Sequence, residues 1–335
     1  MMLLPRNVAI ATVLCLATFP QPGLAQMAPP TILEIDIENF VAFYDDVPDV
    51  SKRATDANAI APVLGRNFAP SALIGDIVAV NGQPAKGTFV YRTLTLNLRA
   101  APTPGQAIAD IVRNNVNNQV FEILKSDGAP IGSIMTVGLG VGSAPPGAPL
   151  AVTQGNNAIV GGTGAYLGAR GQVGQTVQTT AARLASMVED PANRRTYGGG
   201  KTRFALHVIP MFRPEVVATA TGPAIFHADF SPVTATRPAK ADEILMVRAT
   251  GLGPTLPGIN PGQPFSTDTL QQVNSPVAVM VNGQAAEIIN SIAWPGQVDT
   301  FRIDFRLPNG TPAGTAAIQL SAAWIAGSSV NIPIQ

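Results

Sequence analysis

The chain has 335 residues, 21 Lys+Arg against 21 Asp+Glu, and only 13% charged residues. Such sparse and balanced charge leaves no basic footprint for nucleic acid, and a 46% hydrophobic content excludes a disordered chain. With 32 glycines and 30 prolines, short strands are favoured over long helices, and the length points to about two domains.

Residues 1–25 have the pattern of an export signal. Arg6 supplies the positive n-region, and Val8 to Phe19 is apolar but too short for a membrane span. Gly23 and Ala25 place small residues at −3 and −1, which sets cleavage after Ala25. Cys15, the one cysteine, leaves with the signal, so the exported chain has neither disulfides nor thiolate chemistry. No second apolar run reaches transmembrane length. The expected product is secreted, whether extracellular, periplasmic or at the cell surface.

From Ile32 the pattern is strand-like. Glu34-Ile35-Asp36-Ile37-Glu38 alternates with period two, and Phe40 to Tyr44 continues it up to Asp45, Asp46 and Pro48. Asp49 to Ala72 is irregular. Gly75 to Val80 is a short strand broken at Asn81-Gly82, and Thr88 to Leu98 is the clearest strand of this half. Gly105 to Val116 suits a short helix, Gln119 to Lys125 a strand, and Asp127-Gly128 a turn. Ser133 to Gly140 and Ala158 to Val160 are apolar strands. Ala181 to Glu189 has helical composition, Thr202 to Ile209 closes the first unit as a strand, and Arg213 to Thr221 suits a linker.

Beyond it the strands are closer together. Val277, Val279 and Val281 alternate into Asn282-Gly283, a hairpin signal because both central positions of a type I′ turn need positive φ. Phe301, Ile303, Phe305 and Leu307 alternate with Arg302, Asp304 and Arg306, as a strand with one buried face does. About seven such strands fit an Ig-like β-sandwich.

The glycine-rich segment from Ala158 to Val173 fails as a nucleotide site. After Gly162 and Gly164 the third fingerprint position holds Leu167, and Gln172 to Thr180 is strand-like rather than helical. Gly200-Lys201-Thr202 ends like a P-loop, but Arg195 stands at the first glycine position and a strand follows. In a strand, glycines mark bulges, bends or close backbone approach. Period two then places Tyr166, Gly168 and Arg170 on one strand face, with the Arg beside the Tyr ring.

Gly161 to Gly171, reading G-G-T-G-A-Y-L-G-A-R-G, resembles the signature of the allene oxide cyclase and dirigent-like barrels. Phe43-Tyr44-Asp45, Gly75-Asp76, Gly87-Thr88 and Phe121-Glu122 resemble weaker elements of the same family. The resemblance covers residues 32–211 and implies an eight-stranded antiparallel barrel around an apolar cavity. Some members of that family guide cofactor-free cyclisation or coupling of apolar molecules. It makes Asp45, Asp46 and Arg170 the candidate catalytic groups, and Tyr44, Tyr166 and Arg170 the candidate ligand contacts. No cofactor is implied.

Ile225 to Pro232, Ala249 to Thr255 and Pro308 to Gly314 resemble a C-terminal Ig-like domain of exported bacterial proteins, notably from acidobacteria. The expected organisation is all-β: signal 1–25, barrel 32–211, linker 212–221, sandwich 222–335. The only histidines, His207 and His227, fall in different units; His227 with Asp229 makes two ligands and no metal site. No G-x-S-x-G nucleophile elbow is present.

Two functions fit the sequence. One is a barrel that binds, or guides the cyclisation of, an apolar small molecule. The other is a non-catalytic surface, adhesion or scaffold protein with a cell-surface or extracellular partner. Carbohydrate binding through Trp294 is a weaker third. Either main reading is compatible with an oligomer, and neither involves nucleic acid or a membrane span.

Overall fold

The computed structural model describes residues 31–44, 68–96, 114–140, 156–260 and 262–335. The export signal, Asp45, Asp46 and most of the expected 105–116 helix lie outside the described residues; residues 114–116 are strand, not helix.

Nine strands and one short helix build the first unit: β1 (Thr31–Tyr44), β2 (Phe68–Val80), β3 (Gln83–Leu96), β4 (Asn114–Lys125), β5 (Pro130–Gly140), β6 (Asn156–Gly162), β7 (Arg170–Thr180), β8 (Arg183–Ser186), α1 (Asn193–Tyr197) and β9 (Gly200–Ile209). They pair in the order β2-β3-β4-β5-β6-β7-β9-β1, and β1 also pairs with β2. This closes an eight-stranded antiparallel barrel. β8 is an addition, parallel to the last four residues of β1. It replaces the helix expected over Ala181 to Glu189.

Period-two alternation sets the wall. Leu33, Ile35 and Ile37 point inward at 0–1% exposure. Asp36 and Glu38 point outward and pair with Arg203 and Lys201 of β9. Exposed pairs of this kind contribute little to stability. The interior packing contributes far more. Phe89 touches Phe121 and Phe204 at ring-centroid distances of 4.8 and 4.9 Å, and Phe40 leans on Phe89 at 5.8 Å. Gly75 makes room for this cluster, because a Cβ there would strike Ile37 Cγ2.

The two barrel ends differ. Turns at Asn81-Gly82 and Asp127-Gly128 and the segment 163–169 close one end. The chain leaves β1, β3 and β5 at the other, called here the loop end. The closed end is seated on the second unit. Ala323 and Ile325 join the barrel core, Trp324 Nε1 donates to Gln83 Oε1 at 3.0 Å, and Asn274 Nδ2 donates to the Pro130 carbonyl.

The segment after β7 folds back over the outer wall. Asp76 of β2 faces outward yet is 9% exposed, because Arg194 and Arg195 of α1 cover it. Asn39, at a β1 bulge with φ 51°, donates to the same carboxylate. Burial alone would raise the Asp76 pKa; the hydrogen bonds from Arg195, Asn39 and Arg194 outweigh it and hold the pKa below the usual value.

The second unit consists of further antiparallel sheets. A seven-stranded sheet includes Ile244–Thr250, Glu287–Ala293 and Phe301–Arg306; a four-stranded sheet includes Val277–Val281, Gly314–Ala322 and Ile325–Ile334. One core joins them, with Leu245, Phe301, Ile303 and Phe305 from the first sheet against Val279, Ile318 and Ile332 from the second. The alternation read at Phe301 to Leu307 holds, with all four apolar residues at 0–1% exposure. Asn282 and Gly283 have φ of 50° and 82°, as their hairpin requires. Glu215–Val216 pairs with Ala249–Thr250, so the segment expected as a linker is tied to this unit.

Two expected outcomes follow. Phe121→Ala leaves a void inside the Phe cluster and lowers unfolding free energy by about 3–5 kcal/mol in denaturant titration, whereas Val120→Ala on the outer face costs under about 1 kcal/mol. Asp76→Asn leaves the buried Arg194 uncompensated and costs about 3–5 kcal/mol at pH 7. Because the Asp76 pKa is lowered on folding, its contribution is fully present above the unfolded-state pKa and is lost as pH falls through the folded-state value. Acid titration of stability below about pH 4 should therefore be shallower in Asp76→Asn than in the wild type.

Candidate functional site

The glycine-rich segment is a tight turn at the closed end, not a flat strand face. Gly164–Tyr166 is a single 3-10 turn between β6 and β7. Gly164 has φ 59°, and a Cβ there would strike the Ile131 carbonyl oxygen. Gly168 has φ 69° and lies under Met211. The turn separates Tyr166 from Arg170, so the shared face expected from period two does not form.

Tyr166 is 1% exposed and points toward the second unit, its hydroxyl donating to the Ala323 carbonyl at 3.5 Å. Burial raises its pKa. Arg170 is exposed on the outer wall, donating to the Val160 and Ala169 carbonyls. Neither residue reaches the loop end. Tyr44 does, at the last position of β1.

Three successive rows of inward residues lead to that end. The lowest contains Phe89, Phe121 and Ile134, all at 0% exposure. The next contains Tyr91, Gln119 and Thr136, where Thr136 Oγ1 donates to Gln119 Oε1 at 2.9 Å. Burial pushes the Tyr91 phenol up to about 12, and nearby Tyr44 adds to the shift. The last row runs Tyr44, Ser71, Thr93, Asn117, Gly138, Asn157 across six strands.

Three residues of this row, Thr93, Asn117 and Asn157, hold buried polar atoms without a partner among the described residues. Asn117 is 1% exposed and Asn157 4% exposed. Both polar atoms of the Asn117 amide, Asn157 Oδ1 and Thr93 Oγ1 are buried with no hydrogen-bond partner. Thr93 lies near the Tyr91 phenol but outside bonding geometry. These are four of the eight such atoms among the described residues, so the deficit is concentrated at one place. Each unpaired buried group costs about 1–3 kcal/mol. Cross-strand partners share a face, so Gly138 stands between the two amides and puts no side chain there. At a strand spacing of about 4.8 Å, the two asparagine backbones are about 10 Å apart.

The surface concavities are weaker candidates. A groove of about 500 Å³ on the outer wall is lined by Asp36, Glu38, Lys201 and Arg203, whose charges already pair with one another. A cleft of about 350 Å³ beside Trp324 lies at the contact between the units. His227 is committed to Glu243, and Asp229 to Arg237. Among the described residues no three His, Cys, Asp or Glu side chains gather as a metal would need. The Arg248 guanidinium covers one face of the Trp294 ring at 5.6 Å, and that face is closed to carbohydrate stacking.

No protein-family model, no curated protein and no solved structure matches the chain.

The unpaired amide has a direct consequence for stability. Asn117→Leu removes two unsatisfied buried polar atoms at similar volume, so the ligand-free variant should unfold about 1–2 kcal/mol later than wild type in denaturant titration.

Proposed function

We propose that this is an exported β protein whose barrel holds a small molecule at its loop end, with the following sheets as an Ig-like extracellular platform. The observation that carries the reading is the row of unpaired buried polar atoms on Thr93, Asn117 and Asn157. A fold that leaves such groups unpaired bears their full desolvation penalty, and a bound molecule offsets it. The Phe89–Phe121–Phe204 cluster supports a rigid floor beneath the site, which favours binding without reshaping of the wall.

Export rests on Arg6, the apolar stretch and the small residues Gly23 and Ala25. The dirigent-like assignment of the barrel rests on the Gly161 to Gly171 motif, here a turn at the closed end. That position sets Arg170 on the outer wall away from the loop end, and the unpaired row at the loop end supports binding. A scaffold or adhesion role is the second reading, favoured by the packing of Ala323 and Ile325 into the barrel core.

Extraction of the purified, exported full chain and mass spectrometry of the extract test the reading. The expected result is one small molecule in near-equimolar amount, depleted in Asn157→Ala and retained in Arg170→Ala. Absence of any stoichiometric molecule from the wild type would leave the scaffold reading.

A further inference from the structure

We infer that the molecule held at the loop end is neutral and presents a hydrogen-bond donor and acceptor side by side, as a carboxamide, lactam or cyclic imide does. The inference rests on the binding reading above and adds the chemistry of the ligand.

The argument begins with which atoms lack partners. On Asn117 both the Nδ2 donor and the Oδ1 acceptor are unpaired. A side-chain amide offers these two groups in one plane, about 2.3 Å apart from amide geometry. The group that answers both at once is another planar amide, offering its carbonyl to Nδ2 and its N–H to Oδ1. A carboxylate satisfies Nδ2 and opposes Oδ1 with a second acceptor. An ammonium satisfies Oδ1 and opposes Nδ2 with a second donor. A hydrocarbon satisfies neither and leaves the desolvation cost in place.

Asn157 extends the pattern. Its Oδ1 is unpaired and asks for a second donor on the far side of Gly138. Gly138 occupies the position between the two amides and places no side chain there. Thr93 Oγ1, on the other side of Asn117, accepts or donates as its hydroxyl rotates.

Charge points the same way. The inward side chains of the upper two rows among the described residues include Tyr44, Ser71, Leu73, Tyr91, Thr93, Asn117, Gln119, Thr136, Asn157 and Ile159. None of these is Asp, Glu, Lys, Arg or His, and burial pushes the Tyr91 phenol up to about 12. An ionised ligand placed here would lose hydration with no counter-charge to offset the loss. The row beneath, Phe89, Phe121 and Ile134, is apolar and closes the site from below, so the ligand's remaining surface meets an aromatic and aliphatic floor.

The test uses four probes of one size: benzamide, benzoate, benzylammonium and toluene. Binding to the exhaustively dialysed full chain is followed by ligand-observed NMR titration at pH 7. Benzamide should bind, with benzoate, benzylammonium and toluene each weaker by roughly ten- to hundredfold, the equivalent of one or two unsatisfied buried groups. Asn117→Leu should weaken benzamide by a similar factor, while Asn118→Ala on the outer face leaves it unchanged. Asn157→Ala gives the same reading should Asn117→Leu fail to fold. Toluene or a charged probe binding as tightly as benzamide, with no loss in either asparagine variant, overturns the inference and leaves small-molecule binding standing. Failure of all four probes, with no molecule extracted from the purified chain, overturns both.

Discussion

The barrel depends on β1 being hydrogen-bonded on both sides. Thr31 to Ile37 pair with β9, Ile35 to Tyr44 with β2, and the antiparallel sheet thereby closes on itself. Closure removes both sheet edges and leaves each wall residue only two directions, in or out. Inward apolar residues of β1, β2, β3, β4 and β9 then have one place to go, and the Phe89–Phe121–Phe204 contact follows. Past Phe40, β8 takes the place of β9 beside β1. The Asp76 carboxylate, with Arg194 and Arg195, ties the segment that carries β8 back to the same wall.

The same closure divides the interior. At the closed end the buried cluster is apolar apart from the Tyr166 hydroxyl, and the Ala323–Trp324 turn of the second unit completes the core. Toward the loop end the inward positions become polar within two rows. Thr136 Oγ1 donates to Gln119 Oε1, whereas both amide atoms of Asn117 and Asn157 Oδ1 have no partner among the described residues. Hydrophobic burial has already stabilised the wall below them, so these asparagines are carried at a cost that folding alone does not explain.

Much of the wall was legible from local pattern. Period two at Glu34 to Glu38 and at Phe301 to Leu307 assigned inside and outside correctly, because a strand's side chains must alternate. Asn282-Gly283 announced its turn, because few residues accept positive φ twice in succession. The same rule misled at Tyr166 to Arg170. Alternation was extended through glycines that in fact leave the strand, with Gly164 and Gly168 at positive φ, so Tyr166 and Arg170 separate. Composition likewise misled at Ala181 to Glu189, where pairing with β1 outweighs helical propensity.

The candidate site was less legible. Tyr44, a candidate ligand contact from the sequence, lies at the loop end beside Ser71. In sequence, Asn117 and Asn157 read first as turn residues. Their only local signal was the alternation of Asn117, Gln119, Phe121 and Ile123 into a buried face, a polar start to an apolar stripe. The sequence by itself determined that this chain is built of strands, where several of them turn, and which faces of the clearest ones are buried, since those properties follow from the period of the backbone and the φ each residue tolerates. Only the tertiary structure decided that Thr93, Asn117 and Asn157 meet in one row with Gly138 between them. That row crosses four separate strands, and the registers that align it exist only once the barrel has closed.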